Sequence, residues 1–124
     1  MKEIIESFKL SVQRFEEILQ EKPSISIHDA SIQRFEFTTE LAWKSIQKFL
    51  RNEEIVCRSP KQCLKEAFSF ELVEDDERWI AIMEDRNLTS HTYNETTAEE
   101  VYKRLPNYLP LFKKLLSSLE KNIK

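Results

Sequence analysis

Glycine is absent from all 124 residues of this chain. Average usage would supply about nine, mostly where turns and hairpins need positive φ. A chain with none is most simply built from long helices joined by short polar connections. The same absence removes every glycine-dependent phosphate loop, so nucleotide binding through a Walker A or Rossmann fingerprint is excluded. Histidine is limited to His28 and His91, and cysteine to Cys57 and Cys63 without CxxC spacing. So few donors in no ligand spacing predict no metal site, and no cofactor is expected. No apolar run approaches the ~20 residues that span a bilayer, so no membrane association is expected. The opening MKEIIESFKL reads as the start of an amphipathic helix rather than a secretory signal. Together these features predict a cytoplasmic protein with reduced, chemically inert thiols.

Charge of one sign is scarce in two places. The formal net charge is −3, which argues against a binder of bulk nucleic acid. From Glu66 to Glu100 there are eleven acids and two bases, Arg78 and Arg86; from Val101 to Lys124 there are six bases and one acid, Glu120. Solvated helix faces account for such runs simply. The basic C-terminal stretch is nevertheless the candidate surface for RNA or an acidic partner, and a lesser basic ridge falls at Lys44, Lys48 and Arg51.

What is plentiful is helical periodicity. Ile5, Phe8, Val12, Phe15 and Leu19 form one apolar stripe, which Pro23 and the following serines end. Ser26 is expected to cap a second helix, with Asp29 facing its free amides. That helix has Phe35, Ala42, Ile46 and Phe49 on one face and Phe37 and Leu41 on an adjoining one, as a central helix would. Ser59-Pro60-Lys61-Gln62 is a helix start, leading into a short helix with Leu64, Ala67 and Phe68. Asp75 or Asp76 should cap the next helix, which buries Trp79, Ile82 and Met83. Thr97 with Glu100 suggests a further capping box before a last helix carrying Val101, Leu105, Leu109, Phe112, Leu116 and Leu119, with a kink near Pro106. The expected fold is all-α: an up-and-down four-helix bundle with one additional short helix, forming a single domain over residues 1–124. Trp43 and Trp79 are expected in the core or an interface, and His28 as an exposed neighbour of a helix cap.

The stretch EDRNLTSHTYNE, Glu84 to Glu95, gathers an arginine, a histidine and a tyrosine at the end of an apolar helical pattern. Arginine offers a planar, permanently charged fork for phosphate oxygens, and histidine transfers protons near neutral pH. Arg86 and His91 would therefore suit cleavage of RNA by its own 2′-hydroxyl. Asn87 and His91, four apart, share a helix face. Such a reaction needs both an acid and a base, and one chain supplies one histidine here. A two-fold dimer would bring two copies of His91 and Arg86 together. As isolated residues, the same cluster also fits a polar helix end with no chemistry.

RNLTSHTY fits the R-x4-H-x-Y signature of the HEPN superfamily of small helical bundles. With IQRFEFTTELAWK (Ile32 to Lys44), SPKQCLKEAF (Ser59 to Phe68) and DDERWIAIMEDRNLTSHTYNE (Asp75 to Glu95), the chain resembles the nucleotidyltransferase substrate-binding branch, relatives of HepT-type toxins. The resemblance covers roughly Glu3 to Leu119. It implies a homodimer joined through the motif-bearing helices and partnered by a minimal nucleotidyltransferase encoded nearby. It further implies metal-independent RNA cleavage, with Arg86 on the scissile phosphate, His91 as acid or base, Asn87 and Ser90 as polar support, and Tyr93 as the hydroxyl to which the partner adds AMP.

Two departures bear on this. The branch often carries a glycine near Phe70-Glu71-Leu72, and this chain has none. Glu84 and Asp85 directly precede Arg86, where they would repel an RNA backbone unless they point away. Two expectations follow: a HepT-like ribonuclease, or a non-catalytic subunit that binds nucleotide or substrate for the nucleotidyltransferase.

Overall fold

A computed structural model of the chain describes residues 1–91 and 93–123. Among these residues five helices follow one another: α1 (Lys2–Leu19), α2 (Ile25–Asn52), α3 (Pro60–Ser69), α4 (Arg78–His91) and α5 (Glu95–Asn122). No strand occurs among the described residues, so the all-α bundle with one short extra helix is what forms. The long α2 packs against all four other helices, and α5 also lies along α1 and α4. Phe8, Phe15, Phe35 and Phe112 are fully buried where α1, α2 and α5 meet. Their rings pack edge-on or tilted, with Phe112 5.9 Å from Phe15 and 6.4 Å from Phe8; aromatic pairs of this kind add roughly 0.5–1.5 kcal/mol beyond burial. Trp79 reaches the same cluster, 5.9 Å from Phe112, and so pins the first turn of α4 to the core. Phe37, on the expected second apolar face of α2, is exposed, whereas Leu41 on that face is partly buried.

Capping shows where local pattern was read correctly and where it was not. Ser59 caps α3 by accepting from the Gln62 amide, with Pro60 at the first position. Gln62 completes the start by accepting the Arg58 amide at 2.9 Å. Asp76 accepts the Arg78 amide at the start of α4 and clamps the Arg78 guanidinium as well. The other two starts differ from expectation. Ser24, not Ser26, caps α2: it is extended, and its hydroxyl accepts the Ile27 amide at 3.1 Å. Asn94, not Thr97, caps α5 and accepts the Thr97 amide at 2.9 Å. Both capping residues lie closer to the preceding connection, where the backbone is still extended and the side chain can fold back on the first turn. Pro106 and Pro110 do not divide α5, which runs through both.

Helix ends that commonly use glycine are made with glutamate. Glu54 has φ 63° and Glu71 has φ 65°. After α2, the Glu54 amide donates to Arg51 O and Ile55 to Leu50 O; after α3, Glu71 donates to Phe68 O and Leu72 to Ala67 O. Each is the paired-bond helix end known as a Schellman motif, with a left-handed residue at its pivot. The second pivot falls in the Phe70-Glu71-Leu72 turn, where the resembled branch often has glycine. The missing glycine leaves the turn in place but puts a β-carbon in left-handed conformation, at a cost of about 1–2 kcal/mol.

The cysteines correct the expectation of free thiols. Cys57, in the α2–α3 connection, and Cys63, in the first turns of α3, form a disulfide with Cα atoms 5.1 Å apart. Spacing alone did not suggest this. The proline-led start of α3 turns the chain back, bringing residues six apart within bonding reach, and both are buried. Gln47 of α2 donates to Cys57 O at 2.9 Å, tying this staple to the central helix.

Candidate functional site

The site is built on the C-terminal half of α4, where side chains divide by direction. Trp79, Ile82, Asp85 and Thr89 form the buried side. Asp85 is 5% exposed and turned toward α5, away from the site's opening. Arg104 grips it bidentately, Nε at 2.9 Å and Nη2 at 2.7 Å, and the Tyr108 hydroxyl donates to it at 2.5 Å. Burial pushes the Tyr108 phenol above the ordinary tyrosine range, and the hydrogen bond and charge of Asp85 push it further. The hydrogen bond to Asp85 likewise raises the already high Arg104. One of the two acids expected to threaten an RNA backbone is thus a neutralised structural group. Glu84 is exposed.

On the outward side, Arg86, Asn87, Ser90 and His91 line one cleft of about 260 Å³, closed by Trp43, Glu40 and Thr39 of α2 and by Pro60 of α3. Helical spacing puts Arg86 over Ser90 and Asn87 over His91, as the sequence predicts. Arg86 Nη1 donates to the Ser90 hydroxyl, which donates in turn to Arg86 O at 3.0 Å. Glu36 Oε2 lies 3.7 Å from Arg86 Nη1 and accepts the Thr89 hydroxyl at 3.0 Å. The acids nearest Arg86 therefore come from α2, not from its sequence neighbours. Glu40 accepts from Trp43 Nε1 at 3.0 Å and pairs with Lys44 at 3.1 Å. Partial burial works to raise the Glu40 carboxyl, but hydrogen bonds from Trp43 and Lys44 and the charges of Lys44 and Arg86 outweigh it and hold it low.

Tyr93 departs from the simple picture. Were α4 continuous, Tyr93 would share a face with Arg86, but the helix ends at His91. Tyr93 lies in the connection to α5 and lines a different recess of about 170 Å³ with Ile25, His28, Asp29 and Asn94. Its hydroxyl donates to Asp29 Oδ1 at 2.5 Å. Burial pushes its phenol up, and the hydrogen bond and charge of Asp29, with the charge of Glu36, raise it further, to about 12. His28 is partly buried rather than an open cap neighbour, with its ring 4.2 Å from that of Tyr102.

The chain matches a family model described as "Nucleotidyltransferase substrate binding protein like" over residues 3–121. It belongs to that family. It is 36% identical over 84 residues to a Haemophilus influenzae protein named "Probable ribonuclease HepT". That match takes in 64% of this chain and 58% of the relative, so it spans little more than half of that protein. Among solved structures, a protein from Thermus thermophilus is similar with a TM-score of 0.82 and 37% identity, over 90% of this chain and 98% of its own. A Haemophilus influenzae protein, whose structure is described as revealing the fold of a substrate binding domain of a nucleotidyltransferase, gives 0.81 and 27% identity over 94% and 98%. The fold and the relation to a nucleotidyltransferase are thereby established. No helix of the described residues is long and apolar enough to cross a membrane.

Sequence reasoning missed Glu36, Glu40 and Asp29, the α2 acids that face the α4 motif. Their spacings of seven and four put them on one stripe of α2, a signal present in the sequence but indistinguishable there from a solvated face. Three bases of the C-terminal stretch have acidic partners within the fold. Arg104 is committed to Asp85, Lys113 pairs with Glu16, and Lys114 lies 3.7 Å from Glu74. On the basic ridge of α2, Lys44 is held by Glu40.

Proposed function

We propose that this chain is a metal-independent endoribonuclease of the HepT kind, working at a homodimer interface and restrained by a partner nucleotidyltransferase. The convergence of Arg86, Asn87, Ser90 and His91 on one cleft, with Asp85 turned toward α5 and paired there with Arg104, carries this reading. In the reaction, a base takes the proton of a ribose 2′-hydroxyl, whose oxygen attacks the adjacent phosphorus. The bond to the 5′-oxygen breaks, leaving a 2′,3′-cyclic phosphate, and an acid returns a proton to the leaving oxygen. Arg86 stabilises the charge that builds on the phosphoryl oxygens, displacing its loose contact with Glu36. Asn87 and Ser90 orient the phosphate. His91 from each of two chains supplies the base and the acid. Ile80, Glu84, Asn87, Leu88 and His91 make an exposed stripe on α4, and its apolar members suit burial between two copies.

Tyr93 is the hydroxyl that receives AMP from the nucleotidyltransferase. Unmodified, it is turned toward Asp29 and does not line the Arg86 cleft. An added phosphodiester has no proton to donate to Asp29 and carries a negative charge beside Asp29 and Glu36. Repulsion there and attraction by Arg86 would draw the adduct over the cleft.

A second reading is favoured by one observation: Arg86 already has Glu36 at 3.7 Å, and Glu40 borders the same cleft. Both acids oppose any anion, but cleavage also needs Arg86 free to stabilise the charge that builds in the transition state, whereas a subunit that only recognises a nucleotide does not. The experiment that separates the two is RNA cleavage by purified protein in EDTA, comparing wild type with Arg86→Ala and His91→Ala. Cleavage giving cyclic-phosphate ends and abolished by either substitution establishes the ribonuclease. Intact RNA with unmodified, dimeric protein overturns it in favour of the binding subunit.

A further inference from the structure

We propose that Asp29 is the general base that activates Tyr93 for nucleotidyl transfer, so that this chain brings its own base to its modification. The inference rests on the reading of Tyr93 as the AMP acceptor. The observation behind it is geometric: the Tyr93 hydroxyl donates to Asp29 Oδ1 at 2.5 Å, within a recess open to a second reactant. Tyr93 is 51% exposed, so an incoming phosphate group has access to its oxygen while the proton remains on the carboxylate side. Asp29 stands in the second turn of α2, on the structured helix that Ser24 caps, whereas Tyr93 lies in the short α4–α5 connection. The helix sets the position of the Asp29 backbone, and the hydrogen bond orients the Tyr93 hydroxyl toward its carboxylate.

The surroundings of the phenol favour such a base. With its phenol raised to about 12, Tyr93 forms almost no phenolate at neutral pH. Burial holds it there first, and Asp29 and Glu36, which raise it further, oppose a second negative charge on the ring oxygen. A proton leaving in concert with bond formation avoids that charge. Asp29 is the group in contact with the proton. The other titratable groups around the recess are His28, whose ring packs at a tilt against that of Tyr102, and Glu95 at the start of α5. In the step, Tyr93 Oη bonds to the α-phosphorus of ATP. The bond from that phosphorus to the bridging oxygen breaks, pyrophosphate leaves with the electron pair, and the tyrosine proton passes to Asp29 and then to water.

The test is time-resolved intact mass of the full chain, incubated with the nucleotidyltransferase encoded beside it, ATP and magnesium. Wild type, Asp29→Asn, Asp29→Glu and Tyr93→Phe are compared across pH. Asp29→Asn should acquire AMP roughly 100-fold more slowly, and its residual rate should rise with pH as phenolate becomes the only nucleophile. Asp29→Glu should recover part of the loss, and Tyr93→Phe should gain no adduct. Separately, an absorbance titration without any partner, read as the difference from Tyr93→Phe, should show the Tyr93 phenol lower in Asp29→Asn than in wild type, by the share of its rise that Asp29 adds to burial. Asp29→Asn modified at the wild-type rate overturns the proposal and leaves Tyr93 as acceptor. Wild type that gains no AMP from a nucleotidyltransferase shown to be active overturns the acceptor reading, and the proposal with it.

Discussion

Asp85 and Arg86 are adjacent in sequence and occupy opposite kinds of environment. Asp85 is buried, held by three hydrogen bonds from Arg104 and Tyr108, and its charge is fully answered within the fold. Arg86 borders an open cleft, bonded to Ser90 and loosely to Glu36, with room for an incoming anion. About 100° of helical rotation separates a group that holds α4 against α5 from one that faces outward. A charge run on a helix therefore says little about the field at a site until each member's direction is known. The acidity that matters to Arg86 comes from α2, a separate element.

That contrast can be broken by experiment. The largest effect expected is on chemistry: Arg86→Ala and His91→Ala should each reduce RNA cleavage by roughly 10²–10⁴-fold. Their unfolding free energies in urea should stay within about 1 kcal/mol of wild type, because these side chains are not core. Unfolding by Arg86→Ala would show that the two sides of α4 are not separable. Asp85→Ala should do the reverse. It leaves the Tyr108 hydroxyl and Arg104 without their acceptor and should cost about 3 kcal/mol, at the low end for a broken buried pair because Arg104 is partly exposed. Cleavage per folded molecule should be unchanged.

Smaller effects sharpen the comparison by probing the elements that frame the cleft. Reducing the Cys57–Cys63 bond, or Cys63→Ser, should lower stability by about 2 kcal/mol in the loop-entropy account of so short a ring. Equal denaturation midpoints with and without reductant would show that the thiols are free. Glu71→Gly should raise stability by roughly 0.5–1 kcal/mol, since glycine removes the left-handed penalty but loses more chain entropy. A destabilised Glu71→Gly would mean the glutamate side chain contributes something of its own. The least effect concerns the foot of α4. Side-chain and backbone hydrogen bonds with Arg78 hold the Asp76 carboxyl down at about 2 in the folded chain. A depressed folded value gives stability present above the unfolded carboxylate range, near 4, and lost as pH falls toward 2. Asp76→Asn should flatten that part of the pH–stability curve, measured against wild type.

Much of the fold was legible because periodicity and capping act locally. The stripe through Ile5, Phe8, Val12 and Phe15 is buried as read, and Ser59-Pro60 starts α3 as read. The pattern pointed to Ser26 and Thr97 where Ser24 and Asn94 are the caps, since the choice depends on where the preceding chain enters. The cleft residues on α4 were legible for the same local reason: Arg86, Asn87, Ser90 and His91 lie within two turns.

Tyr93, Asp29, Glu36 and the cysteines were a different matter. The phenol's position depends on α4 stopping at His91, and its partner is 64 residues away in sequence. Glu36 meets Thr89 across 53 residues, and Arg104 meets Asp85 across 19. The amino-acid sequence by itself determined the helices, their apolar stripes and the turn of α4 that carries the motif, because each follows from interactions within a few residues. Only the tertiary structure decided which charge faces which, since an ion pair or hydrogen bond between helices depends on rotation and depth that no local spacing encodes.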